Sequence, residues 1–225
     1  MSDDLVDLEQ VNAMRYSLMR WGKANFRSFR WRETRDPYHI LIAEILLHRT
    51  QVKQVVPLYN QLIRSYPDIS ALILASKDSL QQLLYSLGLR WRIDLLYDMA
   101  QEIRTRFDSE IPQNRDDLLS LPGISEYIAS AVRCFAWNQP EILVDTNTVR
   151  IIGRYMNWPV KDSSRRDPRF RQALQMMVDP NEPRVTNYAL LDLAHLICLK
   201  RKSPLCLECP IKPWCYIGLI TGGNA

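Results

Sequence analysis

Residues 118–155, LLSLPGISEYIASAVRCFAWNQPEILVDTNTVRIIGRY, contain the pattern that decides the fold. A Leu-Pro-Gly turn at 121–123 separates a helical pattern that ends at Ser120 from one that begins near Ser125. The first N–H groups of a helix have no intrahelical partner and can hold a phosphate oxygen. Gly123 would let a nucleic-acid backbone approach closely. The segment predicts two helices joined by a tight turn, which is either an ordinary connection or a nucleic-acid contact.

Asp145 is the acidic residue of interest in this segment. It follows the apolar run 142–144 and precedes Thr146, Asn147 and Thr148. Aspartate is a preferred N-cap residue, so position alone favours Asp145 as the cap of a helix that begins near Thr148. A catalytic carboxylate is the alternative interpretation.

Four cysteines lie in the last 28 residues, with the spacing Cys198-x7-Cys206-x2-Cys209-x5-Cys215. Four converging thiolates can hold an iron–sulfur cluster or a zinc ion, and cysteines can also form disulfides. Structural zinc sites usually show two closely spaced cysteine pairs, whereas only Cys206 and Cys209 form such a pair here. The spacing favours an iron–sulfur cluster, with zinc and disulfides as the alternatives.

The composition predicts a soluble protein and permits a nucleic-acid partner. The 225 residues carry a formal net charge of +4 and have a pI near 8.8, which allows nucleic-acid binding without requiring it. No N-terminal signal pattern is present, and no apolar run approaches the ~20 residues needed to cross a bilayer. We therefore expect an intracellular protein, where disulfides are rare, and interpret Cys134 as a buried small apolar residue.

Helical periodicity predicts an all-α fold. The run from Ile40 to Leu47 is apolar except for Glu44 and indicates a buried helix, although a buried strand has the same pattern. The charged stretch from Lys161 to Arg169 is predicted to be an exposed loop. Further helices are predicted over residues 55–63, 78–86, 93–107, 115–120, 125–137, 148–155, 170–177 and 187–199.

Several motifs, in this order along the chain, resemble those of the helix–hairpin–helix DNA glycosylases, the superfamily that includes endonuclease III and the A/G-mismatch adenine glycosylases. Seven residues separate Cys198 from Cys206, one more than is usual, and Ser125 replaces the second glycine of the usual LPG-x-G hairpin. A loop bulge can absorb the first departure, and serine keeps a small side chain and its N–H. The resembling segments are WRETRDPYHILIAEILLHRTQV (31–52), GLRWR (88–92), LPGISEYIASAV (121–132), VDTNTVRIIGR (144–154), NYALLDLAHLIC (187–198) and the cysteine cluster.

The resemblance implies two helical lobes. A six-helix bundle that contains the helix–hairpin–helix would cover residues 30–139, and residues 1–29 and 140–225 would form a discontinuous second lobe. The four cysteines would hold a 4Fe–4S cluster in the second lobe. Tyr127 and Asp145 would lie on opposite walls of the cleft between the lobes. The protein is expected to be a monomer in the cytoplasm, associated with the nucleoid.

The resemblance also implies roles for two carboxylates. The reaction is cleavage of the N-glycosidic bond of an unwanted base, after the nucleotide is flipped out of the duplex. Asp145 matches the family's catalytic aspartate, which would stabilise positive charge on the sugar and direct the attacking water. Glu44 matches a second pocket carboxylate, which handles protons in the adenine glycosylases. The alternative for Glu44 is a polar residue on the exposed side of its helix.

Tyr127 distinguishes the subtypes of this family. Bifunctional members have a lysine there, whose amine forms a Schiff base and leads to strand cleavage, and tyrosine cannot form one. Adenine glycosylases usually have serine, whereas tyrosine resembles the archaeal and bacterial thymine/uracil glycosylases of G·T and G·U mismatches. Core packing is the alternative role for Tyr127. Ten residues follow Cys215, too few for the 8-oxoguanine recognition domain of adenine glycosylases, so we expect thymine or uracil removal, with adenine removal as the alternative.

The implied partner is double-stranded DNA that contains a mismatched or damaged base. His48 and Arg49 follow the Glu44 helix, where the family inserts a side chain into the gap left by the flipped base. Trp91 lies between two arginines and is predicted to occupy an exposed loop and wedge between base pairs, with a buried core tryptophan as the alternative. The other predicted contacts are Leu121, Gly123 and Ser125 of the hairpin and the basic residues Lys200, Arg201, Lys202 and Lys212 of the cysteine loop.

Two other classes of function are compatible with parts of this sequence. A non-catalytic DNA-binding protein with structural zinc would need the cysteines and the basic loop but neither Asp145 nor Glu44. A small electron carrier would need the cluster but not the hairpin. Broad absorbance near ~400 nm would distinguish an iron–sulfur cluster from zinc, and a nicking assay would distinguish an enzyme from a binding protein.

Overall fold

A computed structural model describes residues 8–85, 90–201 and 203–221, and the side chains of all of these except 90–92. The described residues form α-helices joined by turns and short 3-10 helices, and no strand occurs among them. The all-α prediction is therefore confirmed. The twelve α-helices of the described chain are α1 (Leu8–Asn25), α2 (Pro37–Leu47), α3 (Val52–Ser65), α4 (Ile69–Ile73), α5 (Lys77–Leu84), α6 (Arg90–Arg106), α7 (Arg115–Ser120), α8 (Glu126–Trp137), α9 (Thr146–Tyr155), α10 (Pro168–Met177), α11 (Pro183–Leu196) and α12 (Tyr216–Ile220).

The chain divides into two compact units. One unit comprises Met1–Arg27 together with Asn138–Ala225, and the other comprises Ser28–Trp137. The resemblance implied a bundle over residues 30–139, so both implied boundaries lie two residues further along the chain than the observed ones. The discontinuous unit carries all four clustered cysteines and Asp145, whereas the continuous unit carries Glu44 and Tyr127.

The continuous unit is built around α2. The Asp36 side chain accepts hydrogen bonds from the backbone N–H groups of Tyr38 and His39, at 2.8 and 3.4 Å, and Pro37 occupies the first turn, where it replaces an N–H that would lack a partner. Most residues of α2 are buried, because the helix packs against α8 and α3. The predicted buried helix is confirmed, and the strand alternative is wrong.

The discontinuous unit has its own hydrophobic core, formed where α1 packs along α11 and α9 and α10 pack beside them. Asp192 of α11 is fully buried and accepts from Nε of Arg27 at 2.6 Å and from its backbone N–H at 3.1 Å. Such an ion pair offsets the cost of burying the carboxylate and fixes the chain at the end of its N-terminal segment. The large core side chains of this unit include Met14, Leu18, Ile151, Ile152, Phe170, Leu174, Leu190 and Leu193.

Three features of the fold differ from the sequence prediction. Helices α1, α4 and α12 are additional elements. Residues 161–169 are not simply an exposed loop, because a 3-10 helix spans Asp162–Arg166 and α10 begins at Pro168. Ser164 is buried there, and its hydroxyl accepts from the N–H of Lys161 at 2.9 Å. Its burial and this hydrogen bond hold part of the charged stretch against the core of the unit.

Candidate active site and cysteine-lined cavity

The Leu-Pro-Gly turn connects α7 to α8 as the sequence predicts. Gly123 has a φ of +78°, a left-handed conformation that favours glycine, and an added Cβ would lie 3.0 Å from Cδ1 of Leu95. Ser125 accepts from the N–H of Ile128 at 3.3 Å, so its hydroxyl caps the first turn of α8. Gly123 and Ser125 are exposed, whereas the side chain of Leu121 is 2% exposed. Leu121 can therefore offer a ligand only its backbone.

Asp145 is the N-cap of α9. Its Oδ1 accepts from the N–H groups of Asn147 and Thr148, each at 2.8 Å, and the Thr148 hydroxyl accepts from the N–H of Asp145 at 3.0 Å, which completes a capping box. The capping interpretation is confirmed. The carboxylate is half-buried, and these bonds hold it in one orientation, which a charge-stabilising group also requires.

A chain of hydrogen bonds links Asp145 to the cysteine loop. Oδ2 of Asp145 accepts from Nδ2 of Asn147 at 2.7 Å, and Oδ1 of Asn147 accepts from Nη1 of Arg150 at 3.1 Å. Arg150 also donates from Nε to the carbonyl of Cys198 at 3.0 Å and from Nη2 to the carbonyl of Ala194 at 2.9 Å. Burial lowers the pKa of Arg150. Asn147 and Arg150, in the first turns of α9, thus connect the Asp145 carboxylate by hydrogen bonds to the end of α11 and to Cys198.

Sequence reasoning missed Asn147 and Arg150. Both lie in the VDTNTVR segment, two and five residues after Asp145. From sequence alone, a polar residue near a helix N-terminus is interpreted as a solvent-exposed residue or a helix cap, because its partner elsewhere in the chain is not known. The signal that could have identified Arg150 is a long cationic side chain beside Val149 and Ile151, both of which are buried.

Cys198, Cys206, Cys209 and Cys215 line one cavity. Apolar side chains, among them Ile151, Leu193, Ile197 and Ile211, form much of its wall. Nη1 of Arg154 lies 3.2 Å from Sγ of Cys198.

The thiols of this cavity are reduced and partly buried. All five cysteines are free, which contradicts the disulfide alternative. Burial raises the pKa of Cys209 to about 12 and also raises the pKa of Cys215. Among the side chains that the structure describes, no group of three or more His, Cys, Asp or Glu is arranged to hold a metal ion.

The two predicted catalytic residues of the continuous unit, Glu44 and Tyr127, lie on helices that pack together, α2 and α8. Glu44 of α2 is only 7% exposed, so the alternative of an exposed polar residue is wrong. Tyr127 is half-buried in the first turn of α8 and is therefore not a fully enclosed core residue. Cys134, also on α8, is fully buried, as predicted.

The other predicted DNA-contacting residues have varied surroundings. His48 and Arg49 are exposed in the turn after α2, and Arg49 has a φ of +58°. The backbone of Trp91 lies in the first turn of α6 and not in a loop, which corrects the prediction, and its side chain lies outside the described atoms. Lys200 and Arg201 are exposed and Lys212 is half-buried, whereas Gly88, Leu89 and Lys202 lie outside the described residues.

Comparison with known proteins identifies the family. Residues 42–176 match the model of the HhH-GPD superfamily base excision DNA repair proteins. The chain belongs to this superfamily. This DNA glycosylase is 37% identical to a thymine-DNA glycosylase of Aeropyrum pernix over 93% of its own length and 96% of that protein. It is 34% identical to a thymine/uracil-DNA glycosylase of Pyrobaculum aerophilum, over 88% of its own length and 87% of that protein.

A further relative and a solved structure are also similar to the glycosylase. An adenine DNA glycosylase of Buchnera aphidicola is 30% identical over 82% of the chain, which spans 52% of that protein. The solved structure of a thermostable thymine-DNA glycosylase superposes with a TM-score of 0.85, at 28% identity, over 93% of this chain and 97% of that one. No helix in the described part of the glycosylase has the length and apolar character of a membrane span.

Proposed function

We propose that this glycosylase removes thymine or uracil mispaired with guanine and leaves the DNA strand intact. Tyr127 carries the proposal, because it occupies the hairpin helix at the position where a strand-cleaving relative needs an amine. The relatives in Aeropyrum and Pyrobaculum, named for thymine and for thymine or uracil, support the choice of base. The half-buried phenol can stack on, or hydrogen-bond to, an extruded pyrimidine.

Asp145 would act at the sugar. As the C1′–N bond breaks, its electron pair leaves with the base and positive charge develops on the sugar. A fixed carboxylate stabilises that charge and orients a water whose oxygen then bonds to C1′. One proton of that water ends on the released base and the other remains on the new hydroxyl. The capping box and the bond from Asn147 support this role, since they hold the carboxylate in place before the substrate binds.

Glu44 would manage protons on the base or the water. Its carboxyl group is nearly buried on a helix that is otherwise apolar, as expected for a functional acidic residue and not for a solvated one. The packing of α2 on α8 places this carboxyl group in the same unit as Tyr127. We assign Glu44 this role on burial and on the family motif alone.

The cysteine-lined cavity would hold a 4Fe–4S cluster. The donor set consists of four thiols, the wall is largely apolar, and Arg154 places a positive charge beside Cys198. These features fit an anionic cluster bound by thiolates. Such a cluster supplies structure when bound, by cross-linking the loop that carries Lys200, Arg201 and Lys212.

DNA would be held through its backbone on both units. The exposed turn at Gly123 and the N-terminus of α8 can receive a phosphate, and His48 and Arg49 are exposed for insertion beside the flipped nucleotide. The exposed Lys200 and Arg201 add a basic surface on the cysteine loop. Phosphate contacts of this type set the position of the enzyme but not its sequence preference.

A nicking assay tests the proposal. Duplexes with thymine, uracil or adenine opposite guanine, and adenine opposite 8-oxoguanine, are incubated with the enzyme and analysed with and without alkali. We expect breaks only after alkali, and only in the strands that carry thymine or uracil. Breaks without alkali would contradict the lack of lyase activity. Adenine release with thymine untouched would assign the enzyme to the adenine branch.

A further inference from the structure

The segment between α8 and α9, which leads directly to Asp145, has no regular secondary structure. Residues 138–144 are neither helical nor part of a strand, so their backbone groups need partners from elsewhere. Leu143 in this segment is fully buried. A displacement of Leu143 would also move Asp145, which follows it by two residues.

Asn187 of α11 supplies those partners. Its Nδ2 donates to the carbonyl of Glu141 at 2.9 Å, and its Oδ1 accepts from the N–H of Leu143 at 3.4 Å. Nδ2 also donates to the carbonyl of Pro183 at 2.9 Å within its own helix, which sets the orientation of the amide. The residue is 1% exposed, so water does not replace these bonds. One side chain thus pairs with two alternate residues of an extended segment, as a neighbouring strand would.

Thr148 holds the same segment from the other side. Its hydroxyl donates to the carbonyl of Leu143 at 2.8 Å and lies 3.2 Å from Oδ1 of Asp145. Both backbone polar groups of Leu143 are therefore bonded to side chains, Asn187 on α11 and Thr148 on α9. The capping box involves only residues 145–148, so it can form whatever the position of these residues relative to α11. The bonds from Asn187 fix that position.

We infer that Asn187 is a positioning residue for the catalytic carboxylate. It does not touch Asp145 and acts through the backbone of residues 141–143. The inference rests on the role proposed for Asp145. A misplacement of about 1 Å at a reacting group can lower a rate by about 100-fold, so the loss of this side chain should slow base release by that order. Duplex affinity should not change, because Asn187 is buried in the protein.

Thr186→Val is the matched control for Asn187→Leu. Thr186 is the neighbouring residue on α11 and is likewise buried, but its hydroxyl bonds to the carbonyl of Glu182 at 3.0 Å and the N–H of Asp179 at 3.3 Å. Both variants remove a buried polar side chain from the same helix. Only Asn187→Leu releases the segment that leads to Asp145.

Two measurements on the iron-loaded full chain decide the inference. Single-turnover release of thymine opposite guanine should fall about 100-fold in Asn187→Leu relative to Thr186→Val, with duplex Kd unchanged. Amide hydrogen exchange should rise about 10-fold or more at Leu143 in Asn187→Leu only, because its N–H donates to Asn187. Equal rates and equal exchange in the two variants would overturn the inference.

Two further results keep the test decisive. If Asn187→Leu does not fold, exchange in the wild-type protein decides, since an unprotected Leu143 amide overturns the inference and a strongly protected one supports it. If the wild-type protein releases neither thymine nor uracil, the proposed function fails. The exchange comparison still decides whether Asn187 holds residues 141–143.

Discussion

Asp145 combines an observed structural role, as the cap of α9, with the chemical role that we propose for it. As an N-cap it satisfies two N–H groups of α9, which is worth about 1 kcal/mol in proteins. As a carboxylate it carries the negative charge needed beside a sugar cation. Asparagine is as good a cap as aspartate but has no charge, so one substitution separates the two roles.

We expect Asp145→Asn to lower the single-turnover rate of base release by a factor of at least about 100, since charge stabilisation at the sugar is lost. The free energy of unfolding should fall by only about 1 kcal/mol, because asparagine preserves the cap and loses only the bond that Oδ2 accepts from Nδ2 of Asn147, and duplex affinity should remain near that of the wild type. Rapid-quench kinetics and thermal melting check this result.

Asp167→Asn is the control for this substitution. Asp167 caps α10 in the same unit by accepting from the N–H of Arg169 at 2.9 Å, and no role in the reaction is assigned to it. Its variant should keep the full rate. An Asp145→Asn enzyme that kept most of its rate would leave Asp145 as a cap alone.

A lysine at position 127 should convert the enzyme to a strand-cleaving form. Tyr127→Lys places an amine in the first turn of α8, where it can attack C1′ and form a Schiff base. Borohydride trapping should give a covalent enzyme–DNA adduct with this variant and none with the wild type. Tyr16→Lys, at a residue that is 65% exposed on α1, controls for the added charge and should trap nothing. Trapping by the wild-type enzyme would contradict the proposed hydrolytic reaction.

At the level of elements, the hairpin depends on a backbone conformation that only glycine adopts without strain. Gly123→Ala would force a left-handed alanine and bring its Cβ against Leu95, at 3.0 Å from Cδ1. We expect a loss of about 1–2 kcal/mol in the free energy of unfolding, and weaker duplex binding because the turn is displaced. Denaturant melts and a salt-dependent binding series measure both.

Ser125→Gly provides the comparison for the hairpin. It removes only the 3.3 Å bond to the N–H of Ile128 and should cost a few tenths of a kcal/mol at most. Duplex affinity should remain unchanged, because the N–H at position 125 is retained. If Gly123→Ala bound DNA as tightly as Ser125→Gly, the hairpin would be a structural connection only.

The elements that sequence analysis located have broad apolar faces or clear caps. Helix α7 covers the predicted residues 115–120; the Leu-Pro-Gly turn ends it, and the structure shows that the Asn114 side chain caps its start. Helix α1 was missed because it buries only Met14, Leu18 and Gly22, a narrow stripe in a largely polar helix. Helix α12 is a single turn, too short for a periodic pattern.

The candidate site was predicted where a residue type alone indicates its chemistry. The clustered cysteines such as Cys198 can be selected from a sequence by the chemistry of the thiol, whereas the catalytic role of Asp145 was predicted from the family resemblance. Supporting residues are identified by their partners, and Arg150 bonds to a carbonyl 48 residues away. Asn187 acts over 44 residues on Leu143 in the same way. Such long-range partners follow from the packing of α9 on α11, which no local pattern reveals.

At the level of the whole molecule, the proposed cluster would give the two units different sources of stability. The continuous unit is one chain segment with a core of its own around α2 and α8. The discontinuous unit is assembled from both ends of the chain, and the residues described after residue 197 form only 3-10 helices and one short α-helix. In that region a cluster that cross-links four cysteines would replace the hydrophobic burial that longer helices provide.

Loss of the cluster should therefore loosen one unit and spare the other. Cys209→Ser should lose iron and the broad absorbance near ~400 nm, because a serine oxygen is a poor ligand for the cluster. Amide exchange should increase across residues 198–221, while α2 and α8 keep their protection, and duplex affinity should fall with the loss of the ordered basic loop. Cys134→Ala, at a cysteine buried in α8 away from the cavity, should keep its iron and its exchange pattern. Stoichiometric zinc without iron in anaerobically purified wild-type protein would contradict the cluster, and uniform loosening of both units in Cys209→Ser would contradict its confinement to one of them.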